Sequence, residues 1–159
     1  METRSATVKA MASLWEAPVV DNLAGMPSAS AATAQRQTRV LVADDNHPLA
    51  MIMTWAIEAK GYDVRTCANG REAVDLASSF HPDIVLMDIG MPVMNGLEAC
   101  RVMRDTPDLQ AMLIIAHSAW GDQDMRRQTQ AAGFDIHLVK PANLDEIESL
   151  MSGSTRQEQ

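Results

Sequence analysis

The sequence predicts an α/β fold in which a five-stranded parallel sheet carries helices on both faces. A parallel strand that is buried on both faces is apolar throughout, and helix-length segments separate four such runs here. The runs lie at 40–43, 84–87, 112–116 and 136–139, and an alternating segment at 62–67 supplies one more strand. Right-handed crossovers then give a doubly wound sheet of strand order 2-1-3-4-5, the flavodoxin-like arrangement.

The first helix is expected soon after the first strand. Pro48 lies near its start, where a missing N–H costs nothing, and Asn46 or His47 can cap it. Apolar residues then recur at helical spacing until Gly61, which is expected to end the helix. The predicted apolar face consists of Leu49, Ile52, Met53, Ala56 and Ile57. The following segment, 62–67, alternates in polarity and predicts a shorter edge strand.

The later helices begin at equally clear signals. Asn-Gly pairs at 69–70 and 95–96 open the second and third helices. The fourth helix, 123–132, is unusually polar and has little core face. The last helix, 144–151, is short and apolar on one side.

Length and cysteine content limit the domain organisation. At 159 residues the chain has room for one domain and an appendage. We expect the domain at 39–151, a flexible arm or linker with at most one short helix at 1–38, and a frayed tail at 152–159. Cys67 and Cys100 lack the spacing of metal ligands, which indicates two core thiols.

The charge of the chain excludes some classes of function. Residues 1–38 balance three acidic against three basic side chains, so the net charge of −8 lies in residues 39–159. This balance argues against a nucleic-acid-binding surface spread over the fold. No apolar stretch approaches the roughly 20 residues that span a bilayer, and no secretion signal is recognisable. We therefore expect a soluble, cytoplasmic protein that binds neither nucleic acid nor membrane.

Polar residues with chemically active side chains follow four of the predicted strands. They are Asp44 and Asp45 after the first strand, Asp88 after the third, Ser118 after the fourth and Lys140 after the fifth. The carboxyl ends of parallel strands form one edge of the sheet, where ligands bind. Three clustered carboxylates repel one another, and a hard cation such as Mg²⁺ relieves that repulsion. This edge therefore suits Mg²⁺ together with a phosphoryl group.

Each of these residues also has an ordinary alternative when it is taken alone. Asp44 and Asp45 can cap the following helix, Asp88 can be a loop carboxylate, and Lys140 can be a solvated surface lysine. Their joint occurrence at one edge favours the site.

Four motifs occur in the order and at the spacing of a known family. They are Asp44-Asp45, residues 88–96 (DIGMPVMNG), Ser118-Ala119 and Lys140-Pro141. With these motifs the chain resembles, over about residues 39–151, the receiver domain of bacterial two-component response regulators. The stretch 120–141 is further similar to receivers attached to hybrid histidine kinases.

The resemblance implies a role for each residue of the edge. Asp88 would be the phosphoacceptor, a nucleophile that takes a phosphoryl group from the phosphohistidine of a histidine kinase or phosphotransfer protein. Asp45 and Asp88 would bind Mg²⁺ directly together with the backbone carbonyl of Gly90, and Asp44 would act through water. Lys140 would neutralise a phosphoryl oxygen.

The resemblance also implies a switch. Ser118 would hydrogen-bond the phosphoryl group, and its movement would repack the face of the fourth helix, fifth strand and fifth helix, where a downstream protein would bind. The aromatic residue usual three positions before the lysine is His137 here, and a bulky Trp120 follows the hydroxyl. We hypothesise that His137 couples to Ser118 in its place; the alternative is an outward-pointing histidine. A cis peptide bond is expected before Pro141.

The sequence thus favours a phosphoryl-accepting receiver domain. It would be a single-domain regulator or phosphorelay intermediate, or else a piece of a hybrid kinase, and it would signal by protein contact because few residues follow Met151. It would not be an enzyme, apart from slow autodephosphorylation.

Two other functions fit the sequence less well. A Mg²⁺-dependent phosphohydrolase with an aspartyl-phosphate intermediate is the alternative, although such enzymes of the haloacid dehalogenase type carry an Asp-x-Asp motif on the first strand, where Asp44 and Asp45 are adjacent here. A flavodoxin is rejected, because no phosphate-cradling loop follows the first strand and two aspartates there would repel a flavin phosphate.

Overall fold

The computed structural model describes residues 36–155. Residues 1–35 of the predicted arm and residues 156–159 of the predicted tail lie outside this range. Within the described range, no helix is both long and apolar enough to cross a bilayer.

Five parallel strands form one sheet in the order β2-β1-β3-β4-β5. The strands are β1 (Arg39–Ala43), β2 (Asp63–Cys67), β3 (Ile84–Met87), β4 (Leu113–Ser118) and β5 (Ile136–Val139). The central strand β3 is buried along its whole length, whereas the edge strand β2 is partly exposed. The predicted fold class and strand order are confirmed.

Helices follow the strands in strict alternation. They are α1 (His47–Glu58), α2 (Gly70–Phe80), α3 (Gly96–Asp105), α4 (Gln123–Ala132) and α5 (Leu144–Thr155). The side chains of Asn46, Asn69, Asn95 and Asp122 accept a backbone N–H three residues later and so cap α1 to α4. The last helix continues beyond the predicted end at residue 151, because buried Met151 still anchors its last turns.

The two faces of the sheet carry separate apolar clusters. Helices α1 and α5 cover one face and α2, α3 and α4 the other, and alternate residues of each strand point to opposite clusters. Cys100 is fully buried in the cluster under α2, α3 and α4, where burial raises its pKa to about 11, while Cys67 is only partly buried. The core thus leaves the carboxyl edge of the sheet free for loops.

Candidate functional site

The carboxyl ends of β1 and β3 bring three carboxylates together. Asp44 follows β1 and Asp88 follows β3, and these strands are neighbours in the sheet. The backbone N–H of Asp88 donates to the carbonyl of Ala43 over 2.8 Å, which holds the two strand ends side by side. One carboxylate oxygen from each of Asp44, Asp45 and Asp88 lies within 4.8 Å of the other two. We call these three residues the acid cluster.

Lys140 reaches the acid cluster from the end of β5. Its Nζ lies 2.8 Å from Asp44 Oδ2 and 3.5 Å from Asp88 Oδ2. The other oxygen of buried Asp44 accepts the N–H of Asn46 over 2.9 Å, so both of its oxygens are engaged, whereas Asp45 is exposed to solvent. Three carboxylates against one ammonium leave an excess of negative charge, which favours a divalent cation with oxygen ligands.

The carboxylate of Asp88 is poorly hydrated. Its side chain is only 12% exposed. Burial raises the pKa of Asp88 above its ordinary value; the Lys140 ammonium opposes this, Asp44 adds to it, and the N–H groups of Ile89 and Gly90 oppose it. The group is therefore more basic than a carboxylate in water, which suits a nucleophile.

Ser118 and Lys140 meet where β4 and β5 end. The N–H of Lys140 donates to the carbonyl of Ser118 over 2.8 Å, and the peptide bond between Lys140 and Pro141 is cis, as predicted. Ser118 is 1% exposed, and its Oγ accepts the N–H of Trp120 over 3.1 Å. The serine hydroxyl is thus tied to the loop between β4 and α4, whose Trp120 side chain is 60% exposed.

His137 does not point away from the fold. Its Nδ1 lies 3.1 Å from Thr129 Oγ1 on α4, and its Nε2 lies 2.9 Å from the carbonyl oxygen of Trp120. His137 and Ser118 thus both bond to the backbone of Trp120, His137 at its carbonyl oxygen and Ser118 at its N–H. Sequence reasoning missed Thr129, since nothing in the polar pattern of α4 distinguishes this residue.

The loop between β3 and α3 is held against Asp88 by a glycine. A Cβ atom at Gly96 would overlap the carbonyl oxygen of Asp88, so no larger residue fits without moving the strand end. The N–H of Gly96 donates to the carbonyl of Ile89 over 2.9 Å, and Asn95 with Glu98 forms a capping box at the start of α3. The close approach explains the glycine of the motif at 88–96.

Val93 occupies a strained position in the same loop. Its φ is 67°, in the left-handed region that β-branched residues rarely adopt, and the N–H of Met94 donates to the carbonyl of Pro92 over 2.7 Å to close a tight turn around it. The side chain is 83% exposed, so little packing offsets the strain.

Replacing Val93 with asparagine should raise the free energy of unfolding by about 1 kcal/mol, because asparagine tolerates the left-handed region. Urea unfolding followed by circular dichroism would measure it. Val93→Ala is the matched comparison, since alanine retains a Cβ and should gain less. Equal stability of Val93→Asn and the unchanged protein would show that the turn is not strained.

His117 is buried beside the site. It lies on β4 next to Ser118, is 4% exposed, and its Nε2 has no hydrogen-bond partner among the described residues. The pKa of His117 is lowered to about 4, mainly by burial and further by nearby Lys140, while Asp44 opposes the shift. Sequence reasoning passed over this residue as part of an apolar run, although a histidine inside such a run was a visible signal.

An apolar surface on α1 lies beside the acid cluster. Met51, Ile52 and Trp55 are 48%, 53% and 62% exposed, and we call them the α1 surface. The predicted burial of Ile52 is wrong, because α1 packs on the sheet through Ala50, Met53 and Ile57 instead. A groove next to this surface is lined by Met51 and Trp55 on one side, by Glu72 on the other, and reaches Asp44.

Comparison with known proteins places this geometry in a family. Residues 40–152 match the family model of the response regulator receiver domain. The response regulator MprA of Mycolicibacterium vanbaalenii is 36% identical over 118 residues, which cover 74% of this chain and 50% of MprA, so the chain matches half the length of that relative. The polar-differentiation response regulator DivK of Brucella ovis is 34% identical over 117 residues, which cover 71% of this chain and 93% of DivK.

Solved structures agree with the sequence matches. The receiver domain of the sensor histidine kinase PA1611 from Pseudomonas aeruginosa superposes with a TM-score of 0.69 and 28% identity, covering 74% of this chain and 96% of that domain. The family match over residues 40–152 includes every motif of the carboxyl edge. The chain belongs to the response regulator receiver domain family.

Proposed function

We propose that this receiver domain accepts a phosphoryl group from a protein phosphohistidine onto Asp88, in the cytoplasm, and passes the signal on by contact with another protein. Receiver domains are signalling domains, and catalysis here would be limited to slow autodephosphorylation. The observation that carries the proposal is the placement of poorly hydrated Asp88 within 3.5 Å of the Lys140 ammonium, inside the acid cluster.

The residues around Asp88 suit the transfer step. A carboxylate oxygen of Asp88 attacks phosphorus and forms a P–O bond, while the P–N bond breaks and the donor imidazole leaves with the electron pair and takes up a proton. Lys140 offsets the negative charge of the phosphoryl oxygens. The Oγ of Ser118 already accepts the Trp120 N–H, so its own proton can be donated to a phosphoryl oxygen.

The acid cluster fits Mg²⁺. Its donors are hard oxygens, and one ammonium leaves their charge incompletely neutralised. Asp45 and Asp88 would hold the ion directly with the carbonyl of Gly90, and Asp44, which is buried and paired with Lys140, would act through water. When bound, the ion neutralises charge on the phosphoryl group. The magnesium ion coordinated in the active-site cleft of the PA1611 receiver domain supports this assignment.

Replacing Asp45 with asparagine should weaken Mg²⁺ binding by about 10-fold or more, because Asp45 would be a direct ligand of the ion. Asp44→Asn should weaken binding less, because Asp44 would contact the ion only through water. A ¹H–¹⁵N NMR titration that follows the amides of Asp88 and Gly90 gives the dissociation constants. Equal binding by Asp45→Asn and the unchanged protein would contradict the assignment.

Two reagents distinguish a phosphoryl acceptor from a phosphohydrolase. With acetyl phosphate and Mg²⁺, the protein should gain the mass of one phosphoryl group. With a generic phosphomonoester, no sustained release of alcohol should occur. Sustained turnover of the phosphomonoester would overturn the proposed function.

The α1 surface offers a place for the protein donor. A phosphohistidine that reaches Asp88 must bring its own protein against the neighbouring elements, and the groove beside α1 leads to Asp44 of the acid cluster. No charged residue lies on α1 between Pro48 and Ile57, so the surface suits an apolar helix of the donor. We assign the α1 surface to the phosphodonor and the face of α4, β5 and α5 to the downstream partner.

Replacing Trp55 with alanine should slow phosphotransfer from a phosphorylated histidine kinase by about 10- to 30-fold, the usual effect of losing an interfacial tryptophan. Phosphorylation by acetyl phosphate, which needs no docking, should be unchanged. Val102→Ala, an exposed apolar residue on α3, is the matched control. An equal loss with both donors would place the effect in the acid cluster rather than in docking.

A further inference from the structure

His137 connects three elements through its two ring nitrogens. Nε2 lies 2.9 Å from the carbonyl oxygen of Trp120 in the loop after β4, and Nδ1 lies 3.1 Å from the hydroxyl of Thr129 on α4. Thr129 is 2% exposed, so water does not compete for this contact. A phenylalanine or tyrosine ring could not make both bonds.

Counting protons decides which atoms donate. The carbonyl of Trp120 can only accept, so Nε2 of His137 must carry the proton between them. The Thr129 hydroxyl also lies 3.0 Å from the carbonyl of Arg126, which likewise only accepts. Its single proton therefore goes either to Nδ1 of a neutral ring or to Arg126, in which case Nδ1–H of a charged ring donates to Thr129. The bond to Trp120 is present in both cases.

The backbone of Trp120 carries the connection to the site through the two peptide groups that flank its Cα. The Trp120 carbonyl accepts from His137, and the Trp120 N–H, in the preceding peptide group, donates to Ser118 Oγ over 3.1 Å. The next residue, Gly121, packs so closely on β5 that a Cβ there would overlap the side chain of Val139, and its carbonyl accepts from Arg126 Nε over 3.1 Å. The loop therefore contacts both β5 and α4. A shift of the loop backbone at Trp120 and Gly121 would change these contacts.

We propose that His137 is a positioning residue that, by binding the Trp120 carbonyl, holds the Trp120 backbone with its N–H on the Ser118 hydroxyl and transmits a change at Ser118 to α4 through Thr129. This inference rests on the proposed function, since the Ser118 hydroxyl would change its hydrogen bonding when Asp88 is phosphorylated. His137 itself touches no reacting atom. Its two hydrogen bonds link the hydroxyl to the face that we assign to the downstream partner.

The first test is the state of the His137 ring. ¹⁵N NMR of the unphosphorylated protein should show Nε2 carrying a proton. A neutral ring with a bare Nε2 would overturn the inference.

The second test separates coupling from phosphoryl acceptance. Beryllofluoride with Mg²⁺ mimics the phosphoryl group, and in the unchanged protein the amides of Asp88, Trp120 and Thr129 should all shift. In His137→Phe, which keeps a ring but loses both bonds, Asp88 should still respond while the shift of Thr129 falls to less than about half. Thr129→Val, which keeps the bond to Trp120, should lose the response of α4 in the same way at an unchanged melting temperature.

A full response of Thr129's amide in His137→Phe, or of neighbouring α4 amides in Thr129→Val, would overturn the inference and leave the proposed function standing. If His137→Phe fails to fold, His137→Leu supplies the same comparison, because a leucine side chain makes neither hydrogen bond. Failure of the unchanged protein to bind beryllofluoride at Asp88 would overturn the proposed function and this inference with it.

Discussion

Replacing Asp88 with alanine should abolish phosphorylation of this protein by acetyl phosphate. Asp88 combines partial burial with a raised pKa and lies beside Lys140, while Asp44 has both oxygens engaged and Asp45 is exposed. Intact-mass spectrometry after brief treatment with acetyl phosphate and Mg²⁺ would measure the loss. Retention of the phosphoryl mass would show that another carboxylate is the acceptor.

Stability distinguishes this loss from misfolding. Burial raises the pKa of Asp88, so its ionised form is less favourable in the folded than in the unfolded protein at neutral pH. Asp88→Ala should therefore be no less stable than the unchanged protein at pH 7. Asp108→Ala, in an exposed turn after α3, is the matched control and should be phosphorylated normally.

Acid should destabilise this fold through His117, beginning at a pH above that at which ordinary carboxylates are protonated. The pKa of His117 is lowered from 6.5 to about 4. Between these pH values His117 is protonated in the unfolded chain but neutral in the folded protein. The free energy of unfolding is therefore unaffected by His117 above pH 6.5, and it falls as the pH is lowered from 6.5 toward 4. Each tenfold difference in proton affinity is worth about 1.4 kcal/mol, so the loss amounts to about 3 kcal/mol.

Replacing His117 with leucine should remove this loss. Leucine is of similar size, suits the apolar cluster, and leaves no buried nitrogen without a partner. Urea unfolding at a series of pH values should show the advantage of His117→Leu growing between pH 7 and 4, whereas His47→Gln, at an exposed histidine, should follow the unchanged protein. Parallel stability curves for His117→Leu and the unchanged protein would show that His117 titrates normally.

Local patterns were enough to predict the sheet and the gathering of the acid cluster. Runs such as 84–87 are apolar because both faces of a central parallel strand are covered, and this requirement can be read without knowing what covers them. The strand order follows from the handedness of crossovers. Once the order is known, Asp44 and Asp88 must be neighbours, since each ends one of two adjacent strands.

The burial of Ile52 was wrongly predicted and the backbone conformation of Val93 was not predicted at all, because both depend on tertiary packing. Ile52 belongs to a helix that is apolar nearly all round, so its periodicity does not tell which stripe faces the sheet, and packing through Ala50 and Met53 left it exposed. Val93 adopts a positive φ that its own side chain disfavours, because the turn that seats Gly96 against Asp88 requires it.

The sequence by itself thus determined the strands, their order and the set of groups at the carboxyl edge, because these depend on hydrophobic pattern and chain connectivity. Only the tertiary structure decided how those groups are paired. Lys140 pairs with Asp44, His137 bonds to Thr129 and to the Trp120 carbonyl, and Nε2 of His117 finds no hydrogen-bond partner in the part of the chain that the structure describes. These pairings follow from distances between side chains far apart in the chain. Such distances are set by packing of the whole domain, which no local pattern records.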